Sequence, residues 1–202
     1  MGELTVTTFL TLDGVMQAPG GPTEDPSGGF AHGGWVAPYF DDDMGRIIDA
    51  NFGHADAFLL GRTTYDIFSS YWPQYPNQDE IVAKSLNNLP KFVASRTRTS
   101  FDWSGTSHIA DVVREVAALK ERFAREVQVH GSGGLLQTII AHDLIDEYRL
   151  FTFPVILGPG KRLFGDGTVP AALTLVRSSV SSSGVVYCVY RSAGPVRTGT
   201  VG

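Results

Sequence analysis

The alternation of apolar and polar positions predicts a strand–helix series. Residues 3–10 (Glu-Leu-Thr-Val-Thr-Thr-Phe-Leu) are β-branched and apolar and read as a first strand. Residues 41 to about 52 read as a helix with Ile47, Ile48 and Phe52 on its apolar face. Residues 56–60 form a short apolar run closed by Gly61, and Thr63–Tyr71 follows as a helix. Lys91–Ala94 is a third strand. Asp111–Arg125 is the clearest helix, because Val112, Val116, Leu119 and Phe123 fall at i, i+4, i+7 and i+11. Glu121 and Arg125 stand four apart and are expected on its wet side. Residues 126–130 alternate as a strand, Leu135–Ala141 is a helix, and 145–157 is a strand region broken by Gly158-Pro159-Gly160. Two last strands, 173–181 and 185–191, flank Ser182-Ser183-Gly184 as a hairpin.

Strands alternating with helices predict an α/β domain with a mostly parallel central sheet, helices on both faces and an antiparallel C-terminal hairpin. One domain over residues 1–191 is expected, followed by a flexible tail over 192–202. Residues 16–40 fit no period. They carry Gly20, Gly21, Gly28, Gly29, Gly33 and Gly34 among four prolines. Long loops in compact domains tend to be functional or disordered. Phe30, Trp35, Tyr39 and Phe40 argue against plain disorder here, since a linker has little use for aromatics.

Composition narrows the classes. The chain has 202 residues, 43% hydrophobic and 18% charged, which excludes wholesale disorder. No apolar run approaches the roughly 18 residues of a membrane span. The N-terminus lacks a basic n-region, so no cleaved signal peptide is expected and the cytoplasm is the expected location. The formal net charge of −5 disfavours nucleic acid as a partner. Cys188 is the only cysteine, and no His pair has HxH, HxxxH or HExxH spacing, so no metal is expected.

In parallel sheets ligands bind beyond the carboxyl ends of the strands. Four such ends are polar or glycine-rich: Thr11-Leu12-Asp13-Gly14, Gly61-Arg62-Thr63-Thr64, Ser95-Arg96-Thr97 and Gly131-Ser132-Gly133-Gly134. The last joins a strand to a helix, where glycine admits a ligand and free N–H groups favour an anion. It is not G-x-G-x-x-G, because residue 136 is Leu. Gly61–Thr64 offers hydroxyls, helix N–H groups and the Arg62 guanidinium to a diphosphate. Ser95, Arg96, Thr97 and Arg98 would suit a phosphate monoester. The plainer readings are a tight turn, a capped helix start and a solvated loop. Asp41, Asp42 and Asp43 could supply a proton donor or a substrate anchor, and the plainer reading is a solvated helix start matched to the dipole.

In this order the motifs resemble the dihydrofolate reductase-like superfamily, nearest the reductase (C-terminal) domain of the riboflavin-biosynthesis deaminase-reductase. The marks are Leu12-Asp13-Gly14, Leu60-Gly61-Arg62-Thr63-Thr64-Tyr65, Ala94-Ser95-Arg96-Thr97, Val129-His130-Gly131-Ser132-Gly133-Gly134, Asp146-Glu147-Tyr148 and Pro154-Val155-Ile156-Leu157-Gly158 with Leu163-Phe164. The resemblance spans roughly residues 3–191. It implies an NADPH-dependent reductase acting on a small heteroaromatic or carbonyl substrate, and a homodimer. It implies that Gly61, Arg62, Thr63 and Thr64 meet the diphosphate together with Gly131, Ser132, Gly133, Gly134 and Leu135. Ser95, Arg96 and Thr97 would meet the 2′-phosphate. Dihydrofolate reductases carry a cis Gly-Gly peptide at the place of Gly133-Gly134. Trp35, Tyr39 and Phe40 are expected to wall the substrate. Asp13 is expected to hold the turn near the nicotinamide, and Asp42 or Asp43 to orient substrate or pass a proton. The competing expectation is a non-catalytic NADP-binding or dimeric interaction module on the same fold.

Overall fold

The structure is a computed structural model describing every residue from Met1 to Gly202. Eight strands form one sheet: β1 (Glu3–Thr11), β2 (Ala55–Gly61), β3 (Lys91–Ala94), β4 (Thr106–Ile109), β5 (Glu126–His130), β6 (Glu147–Phe153), β7 (Leu173–Val180) and β8 (Val186–Ser192). Their order is β4-β3-β2-β5-β1-β6-β8-β7. All pairings from β4 to β6 are parallel, and β6–β8 and β8–β7 are antiparallel. The helices are α1 (Asp42–Gly53), α2 (Arg62–Tyr71), α3 (Ile81–Asn88), α4 (Val112–Arg122) and α5 (Gly133–Ala141).

The sheet has helices on both faces. Val116 and Leu119 of α4, with Leu136 and Ile139 of α5, pack on Leu4, Val6, Val127 and Val129. On the other face Phe52 of α1, Tyr65 of α2 and Leu86 of α3 pack on Phe58, Leu60 and Val93. Met44 of α1 joins Phe151, Phe153, Tyr187 and Val189 further along that face.

Local chemistry explains the helix ends. The Met44 N–H donates to the Asp41 carboxylate, which caps α1, and backbone donors hold the Asp41 pKa down to about 2. Asp111 caps α4 from the Arg114 N–H, while Glu115 accepts from the N–H groups of Ala110 and Asp111. That helix stops at Arg122. Arg125 therefore does not pair with Glu121. Its guanidinium and N–H donate to Asp56, and it also reaches the carbonyls of Gly53 and Ala55. Lys91 lies fully buried, with its ammonium donating to the carbonyls of Leu86 and Leu89 at the end of α3.

Two elements have little sequence signal. Helix α3 buries only Ala83 and Leu86, and edge strand β4 buries only Ile109. The expected strand over 145–157 is shorter, β6 ending where Pro154 offers no N–H to a ladder. Pairing continues past β8, for Ala172 exchanges backbone bonds with Ala193 and Gly194. The loop over residues 16–40 is packed down. Gln17 donates from Nε2 to the carbonyls of Asp25 and Ser27, and the Trp35 indole donates to the Gln17 carbonyl at 2.8 Å.

Candidate cofactor and active site

A cleft of about 1260 Å³ runs along the carboxyl rim of the parallel strands. Strand β2 passes into α2 with no intervening residue, and β5 passes into α5 through Gly131 and Ser132. These two turns touch. The Gly61 N–H donates to Ser132 Oγ at 2.9 Å, and Ser132 Oγ lies 2.8 Å from Thr64 Oγ1. A Cβ at Gly61 would stand 3.2 Å from the Ser132 Cβ, so the approach favours glycine there. Ser132 itself is left-handed at φ 69°. For a residue other than glycine that conformation costs on the order of 1–3 kcal/mol, and such strain gathers at ligand sites.

The N-termini of α2 and α5 thus open into one cleft, and each presents backbone N–H groups. Gly61, Arg62, Thr63, Thr64, Ser95, Arg96 and Gly131 to Leu135 all line it. Arg62 is half-exposed and only loosely paired, 3.4 Å from Asp66. Arg98 takes Asp66 at 2.8 Å and lies over the rings of Tyr65 and Phe101, so it is spent on packing. Arg96 makes no hydrogen bond or ion pair and stands free on the rim. Ser95 Oγ accepts from the Arg98 N–H, which leaves its hydroxyl proton available. Thr97 does not reach the cleft. The Gly133–Gly134 peptide is trans, as is every peptide bond in the chain.

The substrate-side expectations fare differently. Phe40 lines the cleft. Trp35 does not, because its ring is buried against Phe153 at 5.2 Å. Tyr39 packs on the same phenylalanine at 6.1 Å. Asp43 faces the β7–β8 turn, where it accepts from the Ser182 N–H at 2.9 Å and from the Ser182 hydroxyl. Asp42 is exposed and lies outside the cleft. Asp13 pins the loop after β6, accepting from the N–H groups of Leu157 and Gly158 and from Thr11 Oγ1. The Thr11–Gly14 turn therefore stays out of the cleft that the other three turns share.

Other acids line the cleft instead: Glu24, Asp25, Asp49, Glu80, which accepts from Tyr75 and Asn77, and Asp111, the cap of α4. Asp25 is paired with Lys161 at 2.6 Å. Glu24 accepts through Oε2 from the N–H groups of Gly20 and Gly21, at 2.6 and 3.1 Å. Burial, with Asp25 beside it, holds its carboxyl above the usual range. No group of three His, Cys, Asp or Glu side chains is placed to hold a metal ion, and no helix is long and apolar enough to cross a membrane.

A family model described as the RibD C-terminal domain matches residues 3–187. The chain belongs to the RibD C-terminal domain family. Membership supports an oxidoreductase-like role. The uncharacterized protein YyaP of Bacillus subtilis is 31% identical over 187 residues, covering 92% of each chain. A diaminohydroxyphosphoribosylaminopyrimidine deaminase/5-amino-6-(5-phosphoribosylamino)uracil reductase from Thermotoga maritima superposes with a TM-score of 0.63 at 16% identity, covering 95% of this chain and 57% of that one. Dihydrofolate reductase from Enterococcus faecalis, solved with NADP(H), gives 0.60 at 13% identity, over 95% and 97%. The fold of this RibD C-terminal domain member is accordingly dihydrofolate reductase-like.

Thr7, Thr8 and His130 also line its cleft without having been expected there. A signal was present. Glu126, Gln128 and His130 alternate along β5, and polar alternation on a central strand buried on both faces is unusual.

Proposed function

We propose that the chain is an NADPH-dependent reductase of a small planar heteroaromatic or carbonyl compound. The observation that carries this is the contact of Gly61, Thr64 and Ser132, which aims two helix N-termini into a cleft also holding Arg62 and the unpaired Arg96. The fit to a phosphorylated dinucleotide is good. The helix starts suit a diphosphate, and Arg96 with the Ser95 hydroxyl suits a 2′-phosphate. When bound, NADPH supplies the hydride. The protein supplies position and a dry wall, here from Phe40, Ile48 and Phe52. Glu24 is the proposed proton source in place of Asp42 or Asp43. Two N–H groups fix its Oε2, and Oε1 is left to hold a proton at the cleft.

Calorimetry should show NADPH bound more tightly than NADH. Arg96→Ala should remove roughly 1.5–3 kcal/mol of that preference, the range for a charged hydrogen bond. Equal affinity for the two nucleotides would remove the 2′-phosphate assignment. Tight NADPH binding with no turnover of any tested acceptor would leave a binding module instead of an enzyme.

We also propose that two copies meet along β7. All eight residues of this edge strand are exposed, with Leu173, Leu175, Val176 and Val180 among them. A long, half-apolar edge without proline or lysine is a template for another strand, and a second copy supplies one under two-fold symmetry.

A further inference from the structure

His130 ends β5 on the wall of the cleft, its ring stacked on Phe52 at 4.5 Å between centroids. Its tautomer follows from its neighbours. Gln128 spends both amide protons, on the Asn51 carbonyl and on Glu126 Oε2, each at 2.7 Å. Glu126 is a carboxylate gripped by Arg149 at 2.7 and 2.9 Å. The Gln128 Oε1 can therefore only accept. His130 Nε2, 3.1 Å away, must be the donor. Burial, with Arg149 nearby, pushes the imidazole pKa down to about 3, so the ring carries one proton at neutral pH. Nδ1 is then a bare acceptor, and it makes no hydrogen bond within the chain. His130 lines the cleft, and Nδ1 is the ring nitrogen left for a ligand.

Thr7 is the lateral partner of His130 in the parallel β1–β5 pairing, so the two share a face. Thr7 is 7% exposed and lines the same cleft. Its hydroxyl has no partner. It is one of five buried side-chain polar atoms without a partner, and of these only the Thr7 and Thr8 hydroxyls belong to residues lining the cleft. A buried hydroxyl left unmated costs free energy that a ligand acceptor would recover.

We propose that His130 and Thr7 form a subsite that reads an amide edge, Nδ1 accepting an N–H and the Thr7 hydroxyl donating to the adjoining carbonyl oxygen. The subsite rests on the reading of the cleft as a ligand site. Two ligands offer such an edge: the carboxamide of a nicotinamide and the lactam of a heterocyclic substrate.

Protein labelled with ¹⁵N at histidine, titrated in turn with NADPH, 2′-phospho-ADP-ribose and uracil, separates the cases. In the free protein His130 should show a protonated Nε2 and an unprotonated Nδ1. A protonated Nδ1 overturns the proposal. Movement of the Nδ1 resonance with NADPH, and not with the truncated nucleotide, identifies the carboxamide. Movement with uracil identifies a lactam. Movement with neither NADPH nor uracil, or equal movement with the truncated nucleotide, overturns the subsite. Calorimetry on the same samples keeps the two readings apart. NADPH bound with a silent Nδ1 and no uracil response fails the subsite alone, whereas absence of NADPH binding fails the cofactor reading and leaves uracil as judge of the subsite. Thr7→Val supplies a readout that a structural role would not give. The exchange removes a hydroxyl that has no partner in the free protein, so Tm should hold or rise, while affinity for the responding probe should fall roughly three- to ten-fold. A lower Tm with unchanged affinity would count against the proposal.

Discussion

The burial of His130 has a consequence for stability against acid. Its native pKa lies near 3, against 6.5 for a free imidazole. Between those values the unfolded chain binds a proton that the native chain refuses. Stability therefore rises with pH across this window and is lost as the pH falls from about 6.5, by at most about 1.4 kcal/mol per pH unit. Urea titrations at pH 6.5, 5.5 and 4.5 should show that slope. His130→Phe, which keeps a ring against Phe52, should flatten it whatever its cost at neutral pH. An identical slope in the variant would mean that the imidazole is not shielded. Glu24 has the opposite sign. Its carboxyl is held above the usual range, so the native chain binds the proton more readily and this contribution fades as the pH rises. If Glu24 is the proton source, turnover should fall over that same rise, and Glu24→Gln should abolish the limb.

Among the elements, the loop over residues 16–40 differs most from what its composition suggests. Glycine and proline leave no period to read. The order comes from contacts that close it on itself and on the core. Gln17 holds both ends of a turn, accepting from the Lys161 N–H and donating to the carbonyls of Asp25 and Ser27. Gly33 lies where a Cβ would stand 2.5 Å from the Gly21 carbonyl oxygen and 2.7 Å from that of Pro22. Both are backbone atoms and neither can rotate away. Gly33→Ala should cost roughly 1–3 kcal/mol, the range for overpacking a fitted site. The loop should then be cut faster in limited proteolysis, with Trp35 fluorescence shifted as its indole leaves Phe153. An unchanged cleavage rate would show the loop already loose. Helix α4 is the contrast. Its stripe and its Asp111 cap are written in neighbouring residues, and Val116 and Leu119 are buried as the stripe requires.

At the scale of the whole molecule, the two sheet edges are unequal. Strand β4 has four residues and β7 has eight, every one exposed. The short edge offers a partner few unpaired groups. The long one offers a longer row, interrupted by a bulge between Leu175 and Arg177, with apolar Leu173, Leu175, Val176 and Val180 exposed along it. Light scattering should give twice the 21.8 kDa chain mass at micromolar concentration. Val176→Lys should shift the protein to monomer without lowering NADPH affinity, because β7 lies at the far end of the sheet from the β2 and β5 turns. A monomeric parent would dispose of the pairing.

What neighbouring residues encode could be read directly. The strand and helix periods, the glycines at the β5–α5 turn and the order of motifs pointed to a dihydrofolate reductase-like sheet and to four turns at its rim, of which three line the cleft and Thr11–Gly14 does not. Direction within the fold could not be read that way. Of the consecutive acids, Asp41 and Asp43 are claimed by serines some 140 positions later, at Ser182 and Ser183. Trp35 is taken by Phe153, and Gly61 by Ser132. Such contacts depend on register and on what the sheet brings alongside, which no short window of sequence contains. The tertiary structure alone decided that Glu24 and Thr7 face the cleft, and that the polar alternation of β5 ends there at His130, because a side chain's surroundings are set by its spatial neighbours and not by its own spacing.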